Sequence, residues 1–373
     1  RLSFEFDYYN KKTTGILYRP SIPITMGGLT APRMNIAEVS SHGIDVSVSW
    51  RDKIGKVDYA VSANFGYTTN EVKKYKGQYK EGWDADGNWY NNKGDVFNDS
   101  GSLSPVVEGH KLWEYYMRQP YKGNGNYYNK DGAVNVNGGP KDGIIRTEAD
   151  MDWVKAMIAA GYEFQPNKTI GKNSIWYGDM IYADLNGDGK YGNSYDYKFQ
   201  DISKDPKYTF GMQMSASWNG FDISMNWAGA AGRKLYWGAT TGYNSTGTRV
   251  GLGLSKDIAN NHYFYDPENP NDPRTNINAK YPRLTLGESG SQNVVSSTHF
   301  LYSGDYLKLK NLTIGYTLPK HVTNKIFAQS IRFYLSGENL FSIDDFPGQD
   351  PELGSNPTYT SVRSFAFGTN ITF

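Results

Sequence analysis

One acidic stretch of the chain has the spacing of a calcium loop. Side-chain oxygens at its first, third and fifth positions could surround a hard cation, and a backbone carbonyl could supply the seventh ligand. The residues at these positions are Asp184, Asn186, Asp188 and Lys190. The twelfth position, where such loops have a glutamate, is Tyr195, and Asp196 follows one residue late. Asp and Asn side chains that bond their own backbone in a turn fit the same residues, so calcium and a metal-free turn are both compatible with the pattern.

A second group of residues could bind sugars. Flat aromatic rings stack on the apolar C–H faces of sugars, and neighbouring Asn and Asp side chains bond the hydroxyls. The chain contains 9 Trp and 30 Tyr, many of them in long stretches without strand periodicity. The candidates for substrate contact are Trp83, Trp89, Trp113, Tyr115, Tyr116, Trp176 and Tyr243, with Tyr263 and Tyr265 beside them. Packing of these rings within their own loops is the alternative for each.

Motifs for catalysis are missing from the sequence. The 5 His show no H-E-x-x-H spacing, and neither a G-x-S-x-G nucleophile motif nor a phosphate-binding P-loop occurs. With 0 Cys, neither a disulfide nor a thiolate metal site can form. A formal net charge of +1 gives no global field that would attract nucleic acid. We therefore predict a protein that is not an enzyme, needs no organic cofactor and does not bind nucleic acid.

The elements that must position these residues are β-strands. Apolar and polar residues alternate with period two, the signature of a strand with two different faces. Leu2, Phe4 and Phe6, for example, alternate with Ser3 and Glu5. Eight segments show this pattern, around residues 2–8, 44–50, 57–67, 208–218, 221–227, 305–318, 331–335 and 365–373. Mean hydropathy is −0.64, and no apolar stretch approaches the roughly 20 residues of a membrane helix.

Two local features predict how the strands pair. Asn219-Gly220 suits a two-residue type I′ hairpin, because both positions of that turn need a positive φ. Such a turn would place Trp218 opposite Phe221, and both belong to the apolar phase of their strands. In the sixth strand the apolar phase slips between Leu309 and Leu312, as a β-bulge would cause.

The connections between the predicted strands alternate between long and short. Long ones cover about 17–38, 75–205, 237–303 and 341–360, and short ones 51–56, 219–220 and 319–329. Bacterial outer-membrane barrels have long extracellular loops and short periplasmic turns. A soluble β-sandwich also has alternating strands, but it does not explain this rule. We predict an all-β transmembrane antiparallel barrel wall with long extracellular loops and one short loop helix, opened by Thr147 and ending near Ala160.

Several stretches resemble SusC-like (RagA-type) TonB-dependent outer-membrane transporters. They are Asp305–Pro319, Ile331–Phe341, Gly178–Asp179 followed by Asp184–Lys190, and Asn219–Asp222. The resemblance covers nearly the whole chain in order. It implies that residues 1–373 are the last eight strands of a barrel of about 22, with the plug domain and earlier strands outside this sequence.

The resemblance also implies a function and partners. Members of the family import glycans, and some import peptides, with energy relayed by TonB and under a SusD-like surface lipoprotein. We therefore expect oligosaccharide uptake across the outer membrane of a Gram-negative, Bacteroidetes-type bacterium. The alternatives are a peptide importer of the same family and a non-transporting surface protein, either an adhesin barrel or a soluble carbohydrate-binding β-protein.

Overall fold

The chain folds around an antiparallel sheet of eight strands that lie side by side in chain order. The computed structural model describes residues 1–18, 32–75, 80–83, 89–92, 106–237, 256–284, 291–355 and 359–373. The strands of the sheet are β1 Leu2–Tyr18, β2 Met34–Ile54, β3 Val57–Tyr75, β4 Tyr208–Trp218, β5 Phe221–Ala231, β6 Tyr306–Thr317, β7 Ser330–Ile343 and β8 Ser364–Thr372. The eight predicted strands are confirmed.

The two faces of the sheet differ as the alternation predicts. The apolar face is represented by Phe4, Val48, Phe65, Met212, Phe221, Ile314, Phe333 and Phe367, one residue from each strand. These side chains are exposed, with 64% of Phe4, 52% of Phe221 and 74% of Phe367 accessible. The polar face is represented by Ser3, Ser47, Asn64, Gln213, Asp222, Thr313, Arg332 and Asn370. An exposed apolar face that crosses a whole sheet marks an interface with another apolar phase.

Both predictions about pairing are confirmed. Asn219 and Gly220 have φ angles of 48° and 87°, and Trp218 pairs with Phe221 across the turn. In the pairing of β6 with β5, Leu309 and Asn311 lie opposite the adjacent residues Trp227 and Asn226, whereas in the pairing with β7 the extra residue lies in β7. Lys310 is therefore the extra residue of the predicted bulge.

Two strands extend further than their apolar pattern. β1 reaches Tyr18, and β2 begins at Met34, within the predicted loop 17–38. In the added part polar residues pair across the strands, as with Asn10 and His42. Hydrophobic alternation did not reveal this part because polar residues occupy both faces around Asn10 and His42, although Ile36 and Val39 beyond them are buried.

The long connections fold into small elements of their own. The predicted helix is confirmed as α1 Glu148–Ala159, where the Thr147 side chain accepts from the Asp150 backbone N–H in a capping box. Among the described residues two further short helices occur, α2 Lys256–Asn261 in a long connection and α3 Lys320–Thr323 in the short 319–329 connection. Single turns of 3₁₀ helix cover Ser291–Val294, Thr298–Phe300, Asn324–Ile326 and Pro351–Leu353. Within the described ranges, no helix is long and apolar enough to cross a membrane.

Short strand pairs tie the connections together. Antiparallel pairs join Lys80–Trp83 to Trp89–Asn92, Glu114–Met117 to Lys198–Ser203, and Lys234–Tyr236 to Leu301–Ser303. Parallel pairs join Glu163–Phe164 to Lys190–Tyr191, and His262–Tyr263 to Tyr281–Arg283. Met151, Trp153, Val154 and Met157 of α1 are buried in one cluster with residues of both large connections. The apolar stripe of this helix therefore packs within the loops.

Candidate ligand site in the loops

A cavity of about 250 Å³ in the loops is walled largely by aromatic rings. Trp176 and Tyr177 meet edge to face at 5.3 Å between ring centroids, and Tyr177 meets Tyr265 in the same way at 5.3 Å. The aromatic pocket is defined by Trp176, Tyr177, Phe264 and Tyr265, with Lys172, Asp266 and Arg283 among its polar lining residues. Rings with a few charged groups among them can stack on a ligand and bond its polar edge.

The position of Arg283 in the aromatic pocket is fixed by a buried carboxylate. Its Nε and Nη2 donate to the two oxygens of Asp179 at 2.5 and 2.8 Å, and its Nη1 donates to the Lys172 carbonyl at 2.9 Å. Asp179 is 0% exposed and also accepts from the Asn293 side chain at 2.7 Å. A two-point pair of this kind sets the plane of the guanidinium. The sequence predicted Trp176, Tyr263 and Tyr265, whereas Arg283 had no local signal and Asp179 appeared only in the Gly178–Asp179 stretch of the resemblance.

Tyr115 and Tyr116 are buried, which argues against direct contact with a substrate, and their part in binding stays a prediction. They are 5% and 1% exposed. The Tyr115 hydroxyl donates to the Lys234 carbonyl at 3.0 Å, and the Tyr116 ring lies 4.6 Å from that of Phe199. The Tyr115 bond joins the two large connections, whereas the Tyr116 ring packs on Phe199 within one connection, across the strand pair of Glu114–Met117 and Lys198–Ser203.

The other predicted aromatic contacts are dispersed. Trp113 is 40% exposed and has the Lys204 ammonium 5.8 Å from its ring centroid, but it does not line the aromatic pocket. Trp83 and Trp89 are paired across a short hairpin, and their side chains lie outside the description. Tyr243 lies outside the described residues. Their part in ligand binding stays a prediction.

The proposed calcium loop is held by its own backbone. The Asp184 carboxylate accepts from the N–H groups of Gly187 and Gly189 at 2.7 and 2.9 Å. Asp188 accepts from the Lys190 N–H at 2.8 Å, and Asn186 from the Asp188 N–H at 3.3 Å. Nowhere in the described parts of the chain do three or more His, Cys, Asp or Glu side chains form a metal-binding group. These bonds favour the metal-free turn, and calcium stays a prediction.

Asp196, the acid one residue beyond the loop motif, closes the same segment. Its carboxylate accepts from the backbone N–H groups of Leu185, Gly192 and Asn193 at 2.6, 2.8 and 3.0 Å. The pKa of Asp196 is raised to about 6, chiefly by burial and also by the charge of Asp184, although the three N–H donors oppose this. Asp196 therefore stabilises this loop, and its carboxyl group binds a proton at a higher pH than an ordinary aspartate does.

A larger cavity of about 820 Å³ lies between the first three strands and residues of the large loop that include His110, Tyr116 and Phe199. Tyr8, His42 and Thr69 line it, and their positions in β1, β2 and β3 share the phase of the apolar face. A ligand that crosses the sheet along its polar face would not meet this cavity. The aromatic pocket is therefore the better candidate for a substrate site.

Known proteins are similar to this chain over its whole length. It is 25% identical over 395 residues to the TonB-dependent receptor P3 of Formosa agariphila. The match covers 100% of this chain and 32% of that receptor. It is also 25% identical to the receptor P39 of the same organism, and 21% identical to the TonB-dependent receptor SusC of Bacteroides thetaiotaomicron. The chain resembles a SusC-like TonB-dependent receptor. These homologues are receptors and not enzymes, as predicted.

Solved structures agree on the fold. The RagAB peptide importer in its closed-closed state matches with a TM-score of 0.64 at 18% identity, over 100% of this chain and 34% of that chain. A second RagAB peptide transporter structure matches with a TM-score of 0.64 at 19% identity. The chain thus spans about a third of the relatives it matches, and the matched third is their C-terminal part. No protein-family model matches the chain.

Proposed function

We propose that this chain forms part of an outer-membrane β-barrel that imports oligosaccharides with energy from TonB and a SusD-like lipoprotein partner. The observation that supports this most directly is the exposed apolar face that crosses all eight strands, with a polar face behind it. In a barrel wall the first face meets lipid and the second lines a water-filled interior. The proposal places the chain in the outer membrane of a Gram-negative cell.

The size of the apolar face fits a bilayer. β4 has 11 residues, from Tyr208 to Trp218, and a tilted membrane strand needs about 9–11. Aromatic rings lie at both ends of this band. Tyr67 and Tyr208 are 5.4 Å apart at the loop end, and Trp218 and Phe221 are 53% and 52% exposed at the turn end. Membrane barrels have such aromatic girdles at the two interfaces.

The aromatic pocket supports a sugar as the substrate. Trp176 and Tyr265 present flat apolar surface, and the Tyr265 hydroxyl donates to Glu148 at 3.2 Å. Sugar rings need this combination, because their C–H faces are apolar while their edges carry hydroxyl groups. Arg283 and Asp266 supply donors and acceptors for those hydroxyls.

The test measures binding to the complete transporter. We expect Trp176→Ala and Tyr265→Ala each to weaken binding of a recognised oligosaccharide by about tenfold, as the loss of one stacking face would. Isothermal titration against a panel of glycans measures this. Tyr128→Ala is the matched control, since Tyr128 is 52% exposed and does not line the pocket. Unchanged affinity in both pocket variants would contradict the pocket assignment.

Peptide import is the second candidate function. It is favoured by the fold shared with the RagAB peptide importer and by the charged residues Lys172, Asp266 and Arg283 in the pocket. Titration with a peptide mixture under the same conditions distinguishes the two substrate classes. A surface adhesin would bind a glycan without importing it, so uptake by cells with and without TonB separates that alternative.

A further inference from the structure

The turn between β6 and β7, residues 318–329, carries positive charge alone. It contains Lys320, His321 and Lys325, and no Asp or Glu occurs between residues 318 and 330. The chain as a whole is nearly balanced, with 39 Lys and Arg against 38 Asp and Glu. The turn is thus a local basic site in a chain whose formal net charge is only +1.

The same turn exposes large apolar side chains. Phe327 is 91% exposed, Ile326 56% and Val322 38%. Phe327 has a φ of 58°, a left-handed conformation that favours glycine and strains a residue with a Cβ atom. A strained and exposed aromatic residue at the tip of a turn is a reason to look for a binding role.

The turn folds over the end of the apolar face. Ile331 belongs to that face through its pairing with Ile371, yet it is 6% exposed, whereas Phe333 and Leu335 further along β7 are 39% and 53% exposed. Helix α3 of the turn contacts β7, and the Leu318 N–H donates to the Ile331 carbonyl. The exposed tip at Phe327 therefore adjoins the surface that meets lipid.

We propose that the 318–329 turn binds the anionic phospholipid headgroups of the inner leaflet, with Ile326 and Phe327 inserted at the acyl boundary. The inference rests on the proposed function, because it needs the apolar face to lie in a bilayer and the short turns to face the periplasm. Cations beside exposed apolar groups are the chemistry of an interfacial membrane anchor. The β2–β3 turn at the same end also exposes an apolar residue, Ile54 at 67%, beside Lys56, although its Lys53 pairs with Asp58.

The experiment measures lipid preference in the complete transporter. The protein is reconstituted in nanodiscs of equal phosphatidylglycerol and phosphatidylcholine, and native mass spectrometry determines which lipid it retains. We expect the wild type to favour phosphatidylglycerol, and Lys320→Ser/Lys325→Ser to lower the retained ratio by at least about fivefold. Phe327→Ser should reduce the total lipid retained. Lys122→Ser/Lys130→Ser and Tyr359→Ser are the controls, because these lysines are exposed in the large loop and Tyr359 is 88% exposed.

The possible results separate this inference from the function it rests on. A preference lost in the turn variants and kept in the controls supports it, provided that all variants bind oligosaccharide as the wild type does. Equal retention of the two lipids by the wild type, or the same loss in controls and turn variants, overturns it and leaves the transporter proposal standing. A complete protein that does not enter nanodiscs overturns both.

Discussion

Asp222 and Arg332 form a two-point ion pair across the strand that lies between them. Arg332 Nε and Nη2 donate to the two Asp222 oxygens at 2.9 and 2.5 Å. Asp222 is in β5, Arg332 in β7, and Gly315 of β6 lies between them on the polar face. An added Cβ at Gly315 would lie 2.5 Å from Arg332 Nη2 and 2.6 Å from Asp222 Oδ1. The missing side chain therefore makes room for the pair.

Replacement of this glycine should disrupt the pair. We expect Gly315→Ala to destabilise the sheet by about 1–3 kcal/mol, because the new methyl group displaces a paired guanidinium. The temperature at which the complete protein loses its compact form on an unheated gel measures the effect. Gly171→Ala is the control, since a Cβ there meets nothing within 4 Å. Equal stability of the two variants would show that the pair tolerates the methyl group.

A second ion cluster fixes the last loop to the polar face. Lys308 is 5% exposed and donates to Asp350 at 2.5 Å and to Glu352 at 2.9 Å. We expect Asp350→Ala to cost about 1–3 kcal/mol, because the buried ammonium loses one of its two carboxylate partners and keeps only Glu352. Lys308→Met/Asp350→Leu removes both charges and should cost much less. Protease cleavage within 344–355 compares the variants, and similar cleavage of the two would refute the buried-charge account.

The raised pKa of Asp196 predicts tightening of its loop in mild acid. Its pKa rises from an ordinary value of 3.8 to about 6 in the folded chain, so the folded loop binds the proton more tightly than the unfolded one. The resulting stability, about 3 kcal/mol at most, is complete below pH 4 and is lost as the pH rises through 6. We expect cleavage of the 184–196 loop, relative to Asp196→Asn, to increase from pH 5 to pH 7.5 in chelator. If the cleavage rate of the wild type relative to Asp196→Asn does not change with pH, the raised pKa of Asp196 is contradicted.

The hypothesis that calcium binds to the same loop leads to a separate prediction. Asp184→Ala/Asp188→Ala should speed cleavage under either interpretation, because Asp184 bonds two backbone N–H groups. Chelator distinguishes the interpretations. With a bound calcium ion, chelator should speed cleavage of the wild type severalfold and leave the double variant unchanged. A wild type that is indifferent to chelator would exclude the metal.

The sequence predicted the sheet well because its signals are local. Period-two alternation identified each strand, and the Asn219-Gly220 turn predicted the pairing of Trp218 with Phe221. The bulge at Lys310 appeared as a slip of the same alternation. Each of these signals depends on neighbours within a few residues of each other.

The site could be predicted only in part because it depends on distant residues. Tyr115 and Trp176 are both aromatic residues in a long connection. Tyr115, however, is buried by a strand pair between Glu114–Met117 and Lys198–Ser203. Arg283 joins the aromatic pocket through Asp179, which lies 104 positions earlier. Aromatic composition predicted a sugar ligand, which stays a prediction, whereas burial in the loops decides which of these rings are accessible.

The most direct test of the account is an accessibility scan along β4. Because the chain has 0 Cys, each residue of 209–217 can be replaced singly by Cys in the complete transporter and spin-labelled in bilayers. We predict strict alternation, in which positions such as Phe210, Met212 and Met214 meet lipid-soluble oxygen, and Gly211, Gln213 and Ser215 meet a water-soluble nickel reagent. Water access on both faces, or no alternation, would contradict a membrane-barrel wall.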